Sequence, residues 1–214
     1  MENGNQPNSW KQCESNTFWR DVAPCEHVVQ IYENELAFMD LLEGYVTGGF
    51  NAGECVVLIL SPEHRQQLYQ RLYARNLSLN DMILSKQFIA LDARQTLAKF
   101  MVDGWPVEKL FMDVVKDVMA SARQNGRPVR AFGEMVAILW AEGNNAATMQ
   151  LERLWNKFCE MESFTLFCAY PRSGFGDHAE ESMMHICGKH TKLVASISHS
   201  KTQVQYRPGM LKAV

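Results

Sequence analysis

The chain has 214 residues, of which 47% are hydrophobic and 21% are charged, with a formal net charge of −3 and a pI near 6.1. This composition is typical of one soluble globular domain with a full core. Because no basic surface is expected, direct nucleic-acid binding is not predicted. The continuous apolar run at residues 55–60 is far too short to cross a bilayer, and residues 1–8 lack a secretion signal, so we expect a cytoplasmic protein with no membrane contact.

Polar and apolar residues change pattern along the chain and predict its elements in order. Residues 1–23 are rich in Asn, Gln, Ser and Glu, which predicts a flexible N-terminal arm. Beyond them, strands and helices alternate. Helices are predicted by apolar residues spaced three and four apart. Strands are predicted by short β-branched or continuous apolar runs at residues 27–32, 55–60, 88–91, 129–132 and 164–170.

Three short motifs predict where individual helices begin and end. Gly48-Gly49 are expected to end the first helix, because glycine adopts the left-handed conformation that closes helices. Ser61-Pro62-Glu63 is expected to begin the second, with serine as the cap and proline in the first turn. Asp92 is expected to cap the helix after the third strand.

Alternation of strands with helices predicts the fold class. Consecutive strands joined through helices pair in parallel with right-handed crossovers. We therefore predict an α/β fold, a three-layer doubly wound sheet that is mainly parallel. The predicted boundaries are a flexible arm at 1–23, one domain at 24–195 and a C-terminal tail at 196–214. A helix is expected around 179–190, followed by an extended segment.

In such a sheet, ligands bind where the carboxyl ends of the strands meet. Tyr32, Glu134 and Tyr170 lie at those ends, and Trp140 follows Glu134 closely. Glu134 comes directly after a buried strand, where a carboxylate needs a hydrogen-bond partner or a shifted pKa. Both a ligand-binding role and a structural hydrogen bond remain open for Glu134.

Histidines and cysteines are weaker candidates for functional-site residues. His27 opens the first predicted strand, where either a functional or a structural role is open. Cys168 lies inside an apolar strand, so a core position is favoured over a nucleophile. The pattern His185-x-Cys187-x-x-His190 does not place its members on one helix face, so no metal site is predicted.

Motifs for phosphate binding and for catalysis are absent from the sequence. Neither G-x-x-x-x-G-K-[ST] nor G-x-G-x-x-G occurs, and no serine-hydrolase motif is present. Glu33 and Glu35 follow the first predicted strand, and their negative charge would repel a triphosphate. We therefore expect no catalytic residues, no cofactor and no ATP hydrolysis.

Six segments together resemble the MEDS domain, the methanogen/methylotroph DcmR sensory domain. They are HVVQIY at 27–32, GECVV at 53–57, VRAFGEM at 129–135, LWAEG at 139–143, LERLWN at 151–156 and FCAYP at 167–171. The resemblance covers residues 26–195. It implies a RecA/KaiC-like domain without a functional phosphate loop, and it implies functional roles for His27, Tyr32, Glu134, Trp140 and Cys168.

The predicted function follows from the resemblance together with the missing phosphate motifs. We expect a sensory or regulatory domain that binds a small, largely apolar organic molecule. Its site would include His27, Tyr32, Glu134, Trp140, Cys168 and Tyr170. Its signal would pass to a protein partner such as a histidine kinase or a transcription regulator, with a homodimer as one arrangement. Two alternatives stay open: a nucleotide-binding protein or enzyme that uses the crevice unconventionally, and a ligand-free scaffold.

Overall fold

A computed structural model describes residues 11–14, 19, 22–23, 26–175, 186–188, 190–196 and 201–206. The strands in these residues are β1 (Lys11–Glu14), β2 (His27–Tyr32), β3 (Cys55–Leu60), β4 (Phe88–Asp92), β5 (Met101–Val102), β6 (Trp105–Pro106), β7 (Val129–Gly133), β8 (Thr165–Pro171), β9 (Lys192–Ser196) and β10 (Lys201–Tyr206). The α-helices are α1 (Glu35–Asn51), α2 (Pro62–Ala74), α3 (Leu79–Leu84), α4 (Ala93–Leu97), α5 (Glu108–Ala122), α6 (Met135–Ala141) and α7 (Asn145–Met161). A 3₁₀ turn follows β8 at Arg172–Gly174.

Eight of these strands form one sheet in the order β1-β10-β9-β2-β8-β7-β3-β4. The six strands from β9 to β4 pair in parallel, and β10 and β1 add antiparallel pairs beyond β9. The remaining two strands, β5 and β6, form a small hairpin. All five predicted strands are present, and the predicted α/β class with a mainly parallel sheet is confirmed.

Helices cover both faces of the sheet, which makes the fold three-layered. One hydrophobic core joins alternate strand residues such as Val57 and Leu166 to α5, α6 and α7. The other joins the intervening residues, such as Leu58 and Phe167, to α1, α2 and α3. Every residue of β3 is buried, as expected for a strand covered on both sides. Side chains on opposite faces therefore lie in separate environments.

Parts of both predicted terminal segments contribute to the sheet. β1 lies within the predicted arm and pairs with β10, which lies within the predicted tail. Trp19, also in the predicted arm, is fully buried and packs its ring against Tyr45 and Phe167. The predicted helix at 179–190 falls mostly outside the described residues, although Ile186 and Cys187 are helical.

The prediction that Gly48-Gly49 end the first helix is wrong. Helix α1 continues to Asn51 and is capped at Ala52, after which Gly53 adopts a φ of +74°. Gly49 is needed for packing, because a Cβ atom there would lie 2.7 Å from side-chain atoms of both Arg130 and Val56. The left-handed residue that closes this helix is therefore Gly53.

The two predicted helix caps are confirmed. The Ser61 hydroxyl accepts a hydrogen bond from the His64 amide, with Pro62 in the first turn of α2. The Asp92 carboxylate accepts one from the Gln95 amide at 2.8 Å and so begins α4. Each cap satisfies an amide that the helix itself leaves unpaired.

Candidate functional site

The sheet divides the six predicted site residues into two groups. Tyr32 and Glu134 lie at the carboxyl edge of the strands, on the side of α1 and α2. His27, Cys168, Trp140 and Tyr170 lie on the opposite face, against α6 and α7. We refer to the first region as the edge site, comprising Tyr32, Glu35, His64 and Glu134. The second contains the buried cluster, which comprises His27, Glu152, Cys168 and His190.

Glu134 organises the edge site from the first position after β7. Its backbone amide donates to the Ile59 carbonyl, which continues the parallel pairing of β7 with β3. Its carboxylate accepts hydrogen bonds from the Ser61 amide at 2.7 Å and from the Ser61 hydroxyl at 3.3 Å. Because Ser61 precedes α2, this carboxylate also lies near the positive end of that helix. Glu134 thus makes structural hydrogen bonds at the predicted ligand edge.

His64 connects Glu134 to Glu35. Its Nδ1 lies 2.6 Å from Glu134 Oε1, and its Nε2 contacts Glu35 Oε1. Carboxylate oxygens accept hydrogen bonds, so both ring nitrogens donate and the imidazolium form fits the site. Burial alone would lower the pKa of His64, but the hydrogen bonds and charges of Glu134 and Glu35 outweigh it and raise the pKa. The result is an acid–histidine–acid chain.

Aromatic rings form one wall of the edge site. Tyr32 stacks on Phe38 with ring centroids 4.8 Å apart, and Phe38 also contacts the His64 ring edge-on at 5.1 Å. Burial and then the charges of Glu35 and Glu134 raise the pKa of Tyr32, so its hydroxyl stays protonated. The Glu35 side chain is 46% exposed and that of His64 is 16% exposed. The site is therefore open to solvent at one end.

The buried cluster brings together residues from four parts of the chain. His27 opens β2, Cys168 lies in the neighbouring strand β8, Glu152 lies in α7 and His190 precedes β9. His27 Nε2 lies 3.3 Å from Cys168 Sγ and 3.7 Å from Glu152 Oε2, and His190 Nε2 lies 3.6 Å from that same oxygen. Nitrogen, sulfur and oxygen donors thus converge within 4.8 Å of one another.

Hydrogen bonds around the buried cluster fix the orientation of both imidazoles. His27 Nδ1 lies 3.0 Å from the Asn156 side-chain oxygen, and His190 Nδ1 lies 2.8 Å from the Ile186 carbonyl. Each acceptor requires a proton on Nδ1, which leaves Nε2 as the acceptor nitrogen of the neutral ring. His27 Nε2 can then accept a hydrogen bond from the Cys168 thiol, and the Nε2 atoms of both histidines lie within 3.7 Å of Glu152 Oε2.

Burial controls the protonation of the cluster. Desolvation, reinforced by His190, lowers the pKa of His27 to about 3 despite the opposing effects of Glu152 and Asn156. Burial, followed by the charge of Glu152, raises the pKa of the Cys168 thiol and of the Tyr170 hydroxyl well above their usual values. Tyr170 donates its hydroxyl hydrogen to Glu152 Oε1. At neutral pH, His27 is thus neutral and Tyr170 is a hydrogen-bond donor.

Trp140 packs next to the cluster without joining it. Its indole Nε1 donates to the Gly174 carbonyl at 2.7 Å, and its ring packs against Tyr170 and Phe175. It therefore fixes the turn after β8 against α6. A single ligand in contact with Tyr32, Trp140 and Tyr170, three members of the predicted site, would have to span both faces of the sheet.

Sequence reasoning missed His64, Glu152, Asn156 and His190 as site residues. His64 gave no signal beyond lying in the first turn of a helix. Glu152 did give a signal in the sequence. Helix α7 buries Leu151, Leu154 and Trp155, and the apolar face that these residues form also carries the Glu152 carboxylate. A charged residue on an apolar helix face is rarely buried without a specific partner. His190 enters the sequence prediction only through the pattern with His185 and Cys187, for which no metal site is predicted.

The fold and the two sites define a three-layer α/β domain with an acid–histidine–acid edge and a buried His/Cys/Glu cluster. Residues 26–191 match the model of the family described as MEDS, the MEthanogen/methylotroph, DcmR Sensory domain. The chain belongs to this family, which confirms the predicted resemblance and indicates a sensory or regulatory role.

Comparison with solved structures adds a structural likeness. The flagellar accessory protein FlaH from Methanocaldococcus jannaschii is similar, with a TM-score of 0.49, 12% sequence identity, and coverage of 86% of this chain and 78% of FlaH. No curated protein matches the sequence. In the described part of the chain, no helix has the length and apolar character needed to cross a bilayer.

Proposed function

We propose that this chain is a sensory domain that binds a small organic molecule at the edge site and signals to a partner protein. The main support is the His64 side chain, which holds Glu134 and Glu35 together at the carboxyl edge of the sheet. This edge is where open α/β sheets bind ligands. Unlike the buried cluster, the edge site includes a side chain that is exposed to solvent, that of Glu35.

The chemistry of the edge site favours a molecule with one polar donor group and an apolar body. Glu134 and Glu35 provide acceptor oxygens, and the stacked Tyr32 and Phe38 rings provide an apolar surface. Small-molecule sites combine a few placed polar groups with apolar walls in this way. The carboxylates disfavour a polyphosphate, so a nucleotide is a weaker candidate.

The signal would arise from the contact between His64 of α2 and Glu35 of α1. Glu35 lies in the first turn of α1, whereas His64 lies in the first turn of α2. A ligand group that replaces Glu35 as the partner of His64 would remove this link between α1 and α2. Arg71 of α2 also pairs with Asp40 and Glu43 of α1, so the helices have further contacts whose packing can shift. Such a shift would alter the surface met by a kinase, a transcription regulator or a second copy of the chain.

Binding without catalysis is part of this proposal. The edge site combines acceptor groups with a histidine whose pKa two carboxylates raise, and its four residues include no activated nucleophile. Cys168 lies on the other face, and burial keeps its thiol protonated. We therefore expect a bound ligand to dissociate without chemical change.

A thermal-shift screen of nucleotides and of small organic molecules that combine a polar donor group with an apolar body tests the proposal. Wild type is compared with Glu134→Gln and Glu35→Gln, and with Glu108→Gln as a control carboxylate that pairs with Lys157 on the surface. Loss of a charged hydrogen bond should weaken binding of a true ligand about tenfold or more, as measured by calorimetry. If Glu134→Gln and Glu35→Gln bind every hit as well as wild type, the proposed site is wrong. ATP turnover abolished by these changes would instead favour an enzyme.

A further inference from the structure

The buried cluster has the composition and geometry of a metal site. We propose that it binds one divalent transition-metal ion of the zinc class, with ligand atoms from His27, Glu152, Cys168 and His190. This inference is independent of the edge site and of the proposed ligand, because the two regions lie on opposite faces of the sheet.

Distances between the ligand atoms support the proposal. In a tetrahedral site with metal–ligand bonds of about 2.0–2.3 Å, neighbouring ligand atoms lie about 3.3–3.7 Å apart. The separations from His27 Nε2 to Cys168 Sγ and to Glu152 Oε2 are 3.3 and 3.7 Å, and His190 Nε2 lies 3.6 Å from Glu152 Oε2. All remaining separations are within 4.8 Å, so closure around an ion requires movements of about 1 Å.

The surrounding hydrogen bonds match those of known metal sites. A histidine that binds a metal usually donates its other ring hydrogen to an oxygen acceptor, which fixes the tautomer. His27 does so with Asn156, and His190 does so with the Ile186 carbonyl. The carboxylate of Glu152 is likewise held, by the Tyr170 hydroxyl. The metal-facing atoms are thus oriented before an ion arrives.

Charge and donor type select the class of ion. Imidazole nitrogen with thiolate sulfur and one carboxylate suits zinc, cobalt(II) or iron(II), whereas magnesium and calcium prefer oxygen alone. Glu152 is fully buried, and a divalent cation would offset the cost of enclosing its charge. On binding, the Cys168 thiol loses its proton to solvent and coordinates as thiolate, with no change in oxidation state.

An ion here would connect distant parts of the chain. His190 lies two residues before β9, which pairs with β2 at the side of the parallel strands where β10 and β1 are added. The other ligands lie in β2, β8 and α7. The ion would thereby hold the segment containing Ile186, Cys187 and His190 against the central sheet.

The test uses the full chain produced with zinc or with cobalt(II) and dialysed before metal analysis. We expect about one ion per folded chain, and for cobalt an absorption band from thiolate-to-metal charge transfer. Cys168→Ser should remove that band, and His190→Ala should lower the bound metal at least tenfold. Cys55→Ser, which changes a buried cysteine outside the cluster, should keep both the absorption band and the bound metal.

Two further results would overturn the proposal. Folded wild type that retains neither zinc nor cobalt would show that the cluster is a metal-free hydrogen-bond network. Equal metal content in wild type, Cys168→Ser and His190→Ala would place the ion elsewhere. Because variants can fail to fold, thermal unfolding of wild type with and without added zinc provides a separate measurement. Zinc should raise its midpoint in a concentration-dependent manner, and an unchanged midpoint contradicts the proposal.

Discussion

The Nε2 atom of His27 lies 3.3 Å from the Sγ atom of Cys168, although the two residues are 141 positions apart in the sequence. They meet because β2 and β8 are parallel neighbours, with Val29 paired to Cys168 and His27 paired to Leu166. The imidazole and the thiol project from the same face of the sheet toward Glu152. The polar centre of this domain is therefore a product of strand pairing, and several consequences can be measured.

Replacement of Tyr170 with phenylalanine should destabilise the protein. The ring would keep its place, but the Glu152 carboxylate would lose the hydroxyl that donates to it in a fully buried position. We expect the free energy of unfolding to fall by about 1–3 kcal/mol, as measured by urea denaturation. Tyr32→Phe, at a partly exposed position, is the control and should change the stability by less. Equal effects of the two changes would contradict this account.

Gly49 and Gly133 should differ sharply in their tolerance of alanine. A Cβ atom at Gly49 would lie 2.7 Å from Val56 and Arg130 atoms, whereas at Gly133 the nearest contact is Trp155 at 3.9 Å. Overpacking predicts a loss of about 1–3 kcal/mol for Gly49→Ala. Gly133→Ala should be close to neutral. Chemical denaturation measures the free energy of unfolding of both variants. A larger loss of stability for Gly133→Ala than for Gly49→Ala would refute the packing argument.

Arg130 should contribute more to stability than exposed arginines do. It is buried, pairs with Glu54, donates to the Tyr45 carbonyl at 2.8 Å and lies 4.9 Å from the centre of the Tyr45 ring. Arg130→Met should cost about 3 kcal/mol or more, because its partners lose a buried cation. Arg94→Met, which breaks the exposed pair with Glu142, should cost about 1 kcal/mol or less. Calorimetric melting of the two variants should show this order.

His64 should make stability depend on pH in a defined direction. Its folded-state pKa is raised above 6.5 by Glu134 and Glu35, the charged groups that face it. The stabilisation is therefore complete below pH 6.5 and is lost as pH rises through the raised pKa. Urea unfolding of wild type and His64→Gln across this range should show wild type losing its advantage at high pH. An advantage that stays constant or grows with pH would be the contrary result.

Much of the architecture was predictable because it depends on local patterns. The continuous apolar run of β3 predicts a strand covered on both faces, and Ser61 and Asp92 predict helix starts through their own side-chain hydrogen bonds. Gly49 shows the limit of such reasoning. Its role depends on the approach of Arg130, which lies 81 positions later in the sequence, so local glycine preferences gave the wrong helix end.

The sequence by itself determined the alternation of strands and helices, the α/β class, the family and the missing phosphate loop, because these follow from residue periodicity and short motifs. Only the tertiary structure decided which polar residues meet. Parallel pairing placed His27 beside Cys168, α7 added Glu152 from the face above them, and the return of the chain to β9 added His190. Such contacts depend on strand order and on which face a side chain occupies, and neither is encoded in the spacing of the residues concerned.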